Sequence, residues 1–281
     1  MNLSQVANLC TFLWFFSVMF QMGISVTFSE VLKSARQTKA VLKGIVTNIL
    51  ILPLIGFGIL LMFNPSPPLA VGFLIAVIFS GASLAPLFTA IAKGDLPFSI
   101  GLMVILAIVS AFTSPWLLKF LVHYLVESPN LEINCLKIFK VILIGQLIPL
   151  STGFIINQTH KQLAKKIIKP LWHASNVLFI LTCILLTITQ YHKFGGFSYK
   201  VPIGMMIMFV ACVAIGWYMG GEGVEKRKAM ALNSGVRNGP AAMVIAMNNY
   251  AGTAVPAVVF VYAIFSTIST LLVALMMKNK N

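Results

Sequence analysis

Apolar runs close to 20 residues recur along the whole chain, separated by short polar or basic stretches. A helix of about 20 residues is roughly 30 Å long, which matches the hydrocarbon core of a bilayer. The pattern predicts nine spans, at about 6–26, 40–63, 69–92, 96–125, 135–157, 171–190, 201–220, 229–247 and 255–277. Residues 1–281 therefore read as one all-α polytopic membrane domain without a soluble module.

Composition removes the alternatives. Hydrophobic residues make up 59% of the chain and charged residues 9%, with a mean hydropathy of +0.95. Soluble domains carry charge on about a quarter of their residues. The net charge of +14 raises the question of nucleic acid, but the basic residues do not form one patch. They follow the odd-numbered spans: Lys33, Arg36, Lys39 and Lys43, then Lys93, then Lys161, Lys165, Lys166 and Lys169, then Lys226, Arg227 and Lys228, then Lys278 and Lys280. By the positive-inside rule those ends are cytoplasmic, which puts the N-terminus outside and the C-terminus in the cytoplasm of an inner or plasma membrane. No basic n-region or small-residue cleavage site precedes the first span, so no cleaved signal is expected. Cys10, Cys135, Cys183 and Cys212 are scattered singly, with no C-x-x-C spacing and no metal framework. The spans hold no paired carboxylates, no Ser-His-Asp set and no H-E-x-x-H motif, and neither an enzyme nor a cofactor is expected.

Two spans are interrupted in the same way. Span three contains "SGASLAP" (Ser80, Gly81 … Pro86) and span eight contains "SGVRNGP" (Ser234, Gly235 … Pro240). Both read S-G-x-x-x-x-P, and the predicted topology runs them through the membrane in opposite directions. An inverted repeat with broken helices that meet at the midplane requires that relation. Glycine lets the backbone leave a helix, and proline starts the next one without sacrificing a needed N–H. Pro86 and Pro240 are thus expected to begin half-helices, with Gly81 and Gly235 in non-helical backbone before them. Two ordinary proline kinks are the plain alternative.

At these residues the chain resembles the bile acid:sodium symporter family. "SGASLAPLFTAIAKGDLPFSIGLMV" looks like its first crossing segment and "RKAMALNSGVRNGPAAMVIA" its second; "MFQMGISV", "TNILILP" and "QLIPLSTGF" resemble further family segments. The resemblance implies a panel domain packed on a core domain, with substrate between them. It also implies a nine-helix member whose first repeat (about 1–127) lacks its first helix and whose second repeat covers about 133–281. Against the family's sodium sites, the first-site oxygens fall at Ala85, Pro86, Ser99 and Met103. The shared glutamate falls at Asn233, the second-site glutamine at Arg237, and its partner at Asn48. Only Ser99 keeps its type, and Asn48 is a shortened amide. Sodium favours several oxygens with a carboxylate nearby, so two family-type sodium sites are not expected and no metal is assigned.

Arg237 is the costly residue. An arginine at the centre of a membrane helix costs roughly 2.5–3.5 kcal/mol even on the lenient insertion scale. Carbonyls exposed by the break, together with Asn48, Asn233 and Asn238, could satisfy its donors. Arg237 then either stands in for sodium and stiffens the crossing point, or also draws an anion together with the two half-helix N-termini. Candidate substrate contacts are Arg237, Asn238, Ser266, Thr267 and Gln21; Gln146 lines the cavity or bonds across helices. Asn238 could equally be a cap, and Ser266 and Thr267 could bond back to their own helix. The expected function is alternating-access transport of a small organic anion, not coupled to sodium through the family's usual sites. A non-transporting ligand sensor and a sodium-coupled symporter with altered sites are the alternatives.

Overall fold

The computed structural model describes residues 2–125, 133–194 and 199–279. Glu127, Glu132, Lys280 and the predicted repeat boundary at residue 127 lie outside the described residues. Within them every element is helical. Seven helices are long and apolar enough to cross a membrane. Helix α1 is Leu3–Ser25. Helix α3 (Thr38–Ile45) runs through a π-helical segment (Val46–Ile51) into α4 (Leu52–Phe63) as one span. Helix α7 covers Leu96–Leu125. Helix α8 (Cys135–Ile142), a second π segment (Leu143–Leu147) and α9 (Ile148–Thr159) form another span. Helices α10 (Lys161–Phe194), α11 (Lys200–Met219) and α14 (Val255–Met277) complete the seven.

Two further stretches are split into short helices: α5 (Pro67–Ile78) with α6 (Ala85–Ile91), and α12 (Val224–Gly235) with α13 (Gly239–Tyr250). One helix was not expected. Helix α2 (Phe28–Ala35) begins with a capping box in which Glu30 Oε2 accepts from the Thr27 N–H at 2.8 Å. Helix α10 also begins earlier than the predicted span, so Lys161, Lys165, Lys166 and Lys169 lie on the helix rather than in a loop.

Leu13, Phe16, Leu54, Leu61, Phe112, Trp116, Ile180, Ile184 and Ile188 are all exposed, at spacings that mark one face of each helix. Such a surface would be a liability in water, whereas hydrocarbon is its natural solvent. Inside, α1 packs closely on α9 and α10, and the remaining helices pack around α5, α12, α13 and α14.

Both π segments precede a proline, Pro53 or Pro149. Proline has no N–H to give the preceding turn, and its ring crowds the carbonyl four residues back. A widened turn absorbs that crowding. Asn48 and Gln146 both lie on these widened turns.

The first break separates α5 from α6. Helix α5 ends at Ile78, Phe79 is extended, and Gly81 has φ +81°. A Cβ on Gly81 would meet the Ala107 backbone nitrogen at 2.4 Å, so the position needs glycine for both space and dihedral. Ala85 and Pro86 open α6. The second break differs. Ser234 and Gly235 are the last residues of α12, and the chain leaves the helix at Val236 (ψ 128°). The expectation of non-helical Gly235 is corrected: the Val236 N–H still bonds to the Leu232 carbonyl at 3.2 Å, so the helix continues through the glycine.

Candidate functional site

The two breaks touch. The Asn238 N–H donates to the Phe79 carbonyl at 2.9 Å, joining the second break to the first. Arg237 extends the contact. Its Nη1 donates to Asn48 Oδ1 at 2.8 Å, and its Nη2 donates to the Val77 carbonyl and, at 3.4 Å, to the Asn48 carbonyl. Each acceptor is free for a local reason. Val77 lies in the last turn of α5, where carbonyls have no intrahelical donor. In a π turn the Asn48 carbonyl looks to residue 53, which is proline and has no N–H. A guanidinium at the C-terminal end of α5 also meets the negative end of that helix dipole. Arg237 is only 3% exposed, and its Nε is buried without a partner among the described residues.

Asn48 is fully used. Its Nδ2 donates to the Gly44 carbonyl at 3.0 Å and to Ser234 Oγ at 3.1 Å, while its Oδ1 accepts from Arg237. Arg237 and Asn48 thus occupy the region that the resemblance assigned to a second sodium ion. The first-site positions are joined by another chain of bonds. Asn233 Nδ2 donates to Ser99 Oγ (2.7 Å), Ser99 Oγ pairs with Thr89 Oγ1 (2.9 Å), and Thr89 Oγ1 donates to the Ala85 carbonyl (2.9 Å). Because Thr89 spends its proton on Ala85, Ser99 must be the donor in the middle link. Asn233 also donates to the Ala229 carbonyl at 2.9 Å, but its Oδ1 is buried without a partner. Thr89 was missed by the sequence reading. It resembles any helix threonine until the fold sets it against Ser99.

Beside the crossing lies a cavity of about 650 Å³. Its walls come from α1 (Trp14 to Val26), α10 (Trp172 to Leu186), α14, the start of α7, and both breaks. Of the predicted substrate contacts, Arg237, Thr267 and Gln21 line it, as do Pro86, Met103 and Pro240. Asn238 and Ser266 do not. Asn238 Oδ1 accepts from the Ala241 N–H at 3.2 Å as the cap of α13, and Ser266 Oγ bonds back to the Ala263 carbonyl at 3.2 Å. The cap also bears on the expected anion site at this helix end. With Gly239 N–H on the Arg237 carbonyl (2.8 Å) and Pro240 lacking an N–H, the first turn of α13 has no free donor. Gln146 bonds across helices, donating to the Ala107 carbonyl at 2.7 Å. Unforeseen lining residues include Trp14, Trp172, Asn176 and Phe179. Trp14 and Phe179 stack at a tilt with ring centroids 5.1 Å apart, and the wall is mainly apolar.

The chain is 23% identical over 253 residues to a protein of Oryza sativa subsp. japonica named probable sodium/metabolite cotransporter BASS2, chloroplastic. That alignment covers 87% of this chain and 58% of the rice protein, so the chain spans less than two thirds of that relative's length. It is also 23% identical over 256 residues to the uncharacterized sodium-dependent transporter YocS of Bacillus subtilis (strain 168), covering 86% of this chain and 75% of YocS. Both relatives are named as transporters, and this chain is an integral multi-pass membrane protein. The sodium bile acid symporter family model matches residues 12–197, about two thirds of the sequence, and the chain belongs to that family.

Proposed function

We propose that the chain is a nine-span secondary transporter of small organic anions in which Arg237 occupies the place of a coupling cation. The seven long helices supply seven crossings, and the pairs α5–α6 and α12–α13 supply two broken ones. Helices α1, α8, α9 and α10 act as a panel against a core formed by the rest, with the C-terminus in the cytoplasm.

The carrying observation is the partner set of Arg237. All of its acceptors, Asn48 Oδ1 and the Asn48 and Val77 carbonyls, are neutral. They accept from Nη1 and Nη2 without cancelling the charge, and Nε keeps an unused donor. The described acidic residues, Glu30, Asp95, Glu222 and Glu225, sit at helix ends or between helices. A full positive charge therefore stays beside the cavity. An anion held about 6 Å away gains roughly 3 kcal/mol at an effective dielectric of about 20. The apolar wall suits a substrate with a hydrophobic body.

The relatives' names carry sodium, and one observation favours a sodium-coupled second reading: Asn233 Oδ1 is buried and unpartnered near the Ser99 and Thr89 hydroxyls. A fixed charge at Arg237, with Ala85, Pro86 and Met103 lacking side-chain oxygens, favours the first. Proteoliposomes offered external radiolabelled carboxylates, steroid conjugates or sulfonates decide between them. Uptake that persists with choline in place of sodium supports the proposal. Steep sodium dependence with a Hill coefficient near two would establish the second reading. Binding without flux would identify a sensor.

A further inference from the structure

The cavity lies towards one side of the crossing, and hydrogen bonds tie the panel to the core on the other. Its walls use α1 from Trp14 to Val26 and α10 from Trp172 to Leu186. The α1 stretch is the half nearest Lys33 and Arg36, and Ile100 and Met103 add the start of α7, just after Lys93; the α10 stretch is the middle of its helix. Towards the start of α1 and the end of α10, the panel is joined to the core by hydrogen bonds.

Three of these bonds converge on the end of α13. Asn8 Nδ2 of α1 donates to Asn248 Oδ1 at 3.4 Å. Lys137 Nζ of α8 donates to the Asn248 carbonyl at 3.1 Å. Lys193 Nζ of α10 donates to the Gly252 carbonyl at 2.6 Å. Nearer the crossing, Gln146 bridges the Ala107 carbonyl and Asn238 Nδ2 (2.7 and 3.4 Å). The last carbonyls of a helix lack internal donors and carry the negative end of its dipole, so the Lys137 ammonium is well matched to the Asn248 carbonyl, while Lys193 takes the Gly252 carbonyl just beyond the helix end. The lysines also contradict a purely topological account: they are basic residues at the end opposite the main basic segments, and each reaches across to the core.

Helix α13 makes this arrangement mechanical. It starts at Asn238, beside Arg237 and Phe79, and ends at the lysine contacts. Twelve helical residues form a rod of about 18 Å between the crossing and the closed end. We propose that Asn8, Lys137 and Lys193, closing on Asn248 and Gly252, form a latch that seals the cavity at the end away from the basic segments. Release of the latch opens that end. The inference rests on the transporter reading for its purpose, but not for its test.

The native Cys183 lines the cavity and is half-buried, which makes it a reporter of access. The full chain carrying Cys10→Ser and Cys135→Ser is reconstituted in liposomes, and a membrane-impermeant maleimide is applied to either side. A Cys183→Ser control identifies the labelled site. In this parent, Cys183 reacts from the side bearing the basic segments. Lys137→Met with Lys193→Met and Asn248→Leu raises reaction from the other side about tenfold, because it removes the charge-assisted bonds holding that end. Lys193→Met alone, at a half-buried position, gives a smaller rise in the same direction. In the Lys137→Met, Lys193→Met chain, Asn8→Cys with Asn248→Cys, joined as a disulfide by mild oxidation, returns that labelling to the parent rate, and reduction restores the rise. Unchanged labelling in variants that stay monodisperse and melt like the parent would overturn the latch. A switch of labelled side without flux of any substrate would keep the latch and reject the transporter reading.

Discussion

Arg237 Nη1 bonds to Asn48 Oδ1 at 2.8 Å, so the break between α12 and α13 is tied to the π turn ahead of Pro53, 189 residues away in sequence. Proline at 53 frees a carbonyl, the end of α5 frees another, and one guanidinium serves both. Removing it strands acceptors in the membrane interior at roughly 1–3 kcal/mol for each buried group left unsatisfied. Arg237→Ala is expected to lower the melting temperature of the purified protein markedly. Arg237→Gln should stay folded but lose transport, since it lacks the fixed charge. Lys at this position should fall between Gln and Arg, keeping charge without the planar fork. Melting curves and uptake on the same preparations check the order.

The bonds from Asn233 through Ser99 and Thr89 to the Ala85 carbonyl should behave as a unit. Ser99→Ala and Thr89→Val are each expected to cost about 1 kcal/mol, and the double variant clearly less than their sum. A double-mutant cycle on thermal stability measures the coupling, and simple additivity would show that the middle link contributes nothing.

The two glycines of the repeated motif should respond unequally. Gly81→Ala places a methyl 2.4 Å from the Ala107 backbone nitrogen at φ +81°, and expression or folding should fail. Gly235→Ala meets Val213 Cγ2 at 3.1 Å and Thr270 Oγ1 at 3.2 Å, which slight side-chain movement relieves. A folded, mildly destabilised protein is expected, read by fluorescence-detected gel filtration.

The proposed orientation rests on the lysines and arginines beyond the odd-numbered spans. A reporter fused after Lys280 should be active only in its cytoplasmic form. Activity in the exported form would reverse the assignment.

What the sequence revealed depended on how local each cause is. The breaks were legible because glycine and proline act on their own backbone. The same motif nevertheless produced two geometries. Asn238 immediately precedes Gly239-Pro240 and caps the second half-helix, so that break occupies only Val236 to Asn238. No side-chain cap bond precedes Pro86, and the first break runs from Phe79 to Leu84 with a left-handed Gly81. The polar cost of Arg237 was plain from its position, but Val77 as a partner was not, because nothing local marks a carbonyl that another helix will leave free. Thr89, Asn176 and the Asn248 contacts were invisible for the same reason: each is defined by a neighbour distant in sequence or across a turn.

The central claim is that a tethered guanidinium replaces a bound cation. Its most direct test needs no substrate: the melting temperature of the purified protein is titrated with sodium chloride against choline chloride at constant ionic strength. A ligand that binds only the folded state raises stability with its concentration. The account predicts superimposable curves for the wild-type chain up to physiological sodium. A saturable, sodium-specific rise in melting temperature would contradict it.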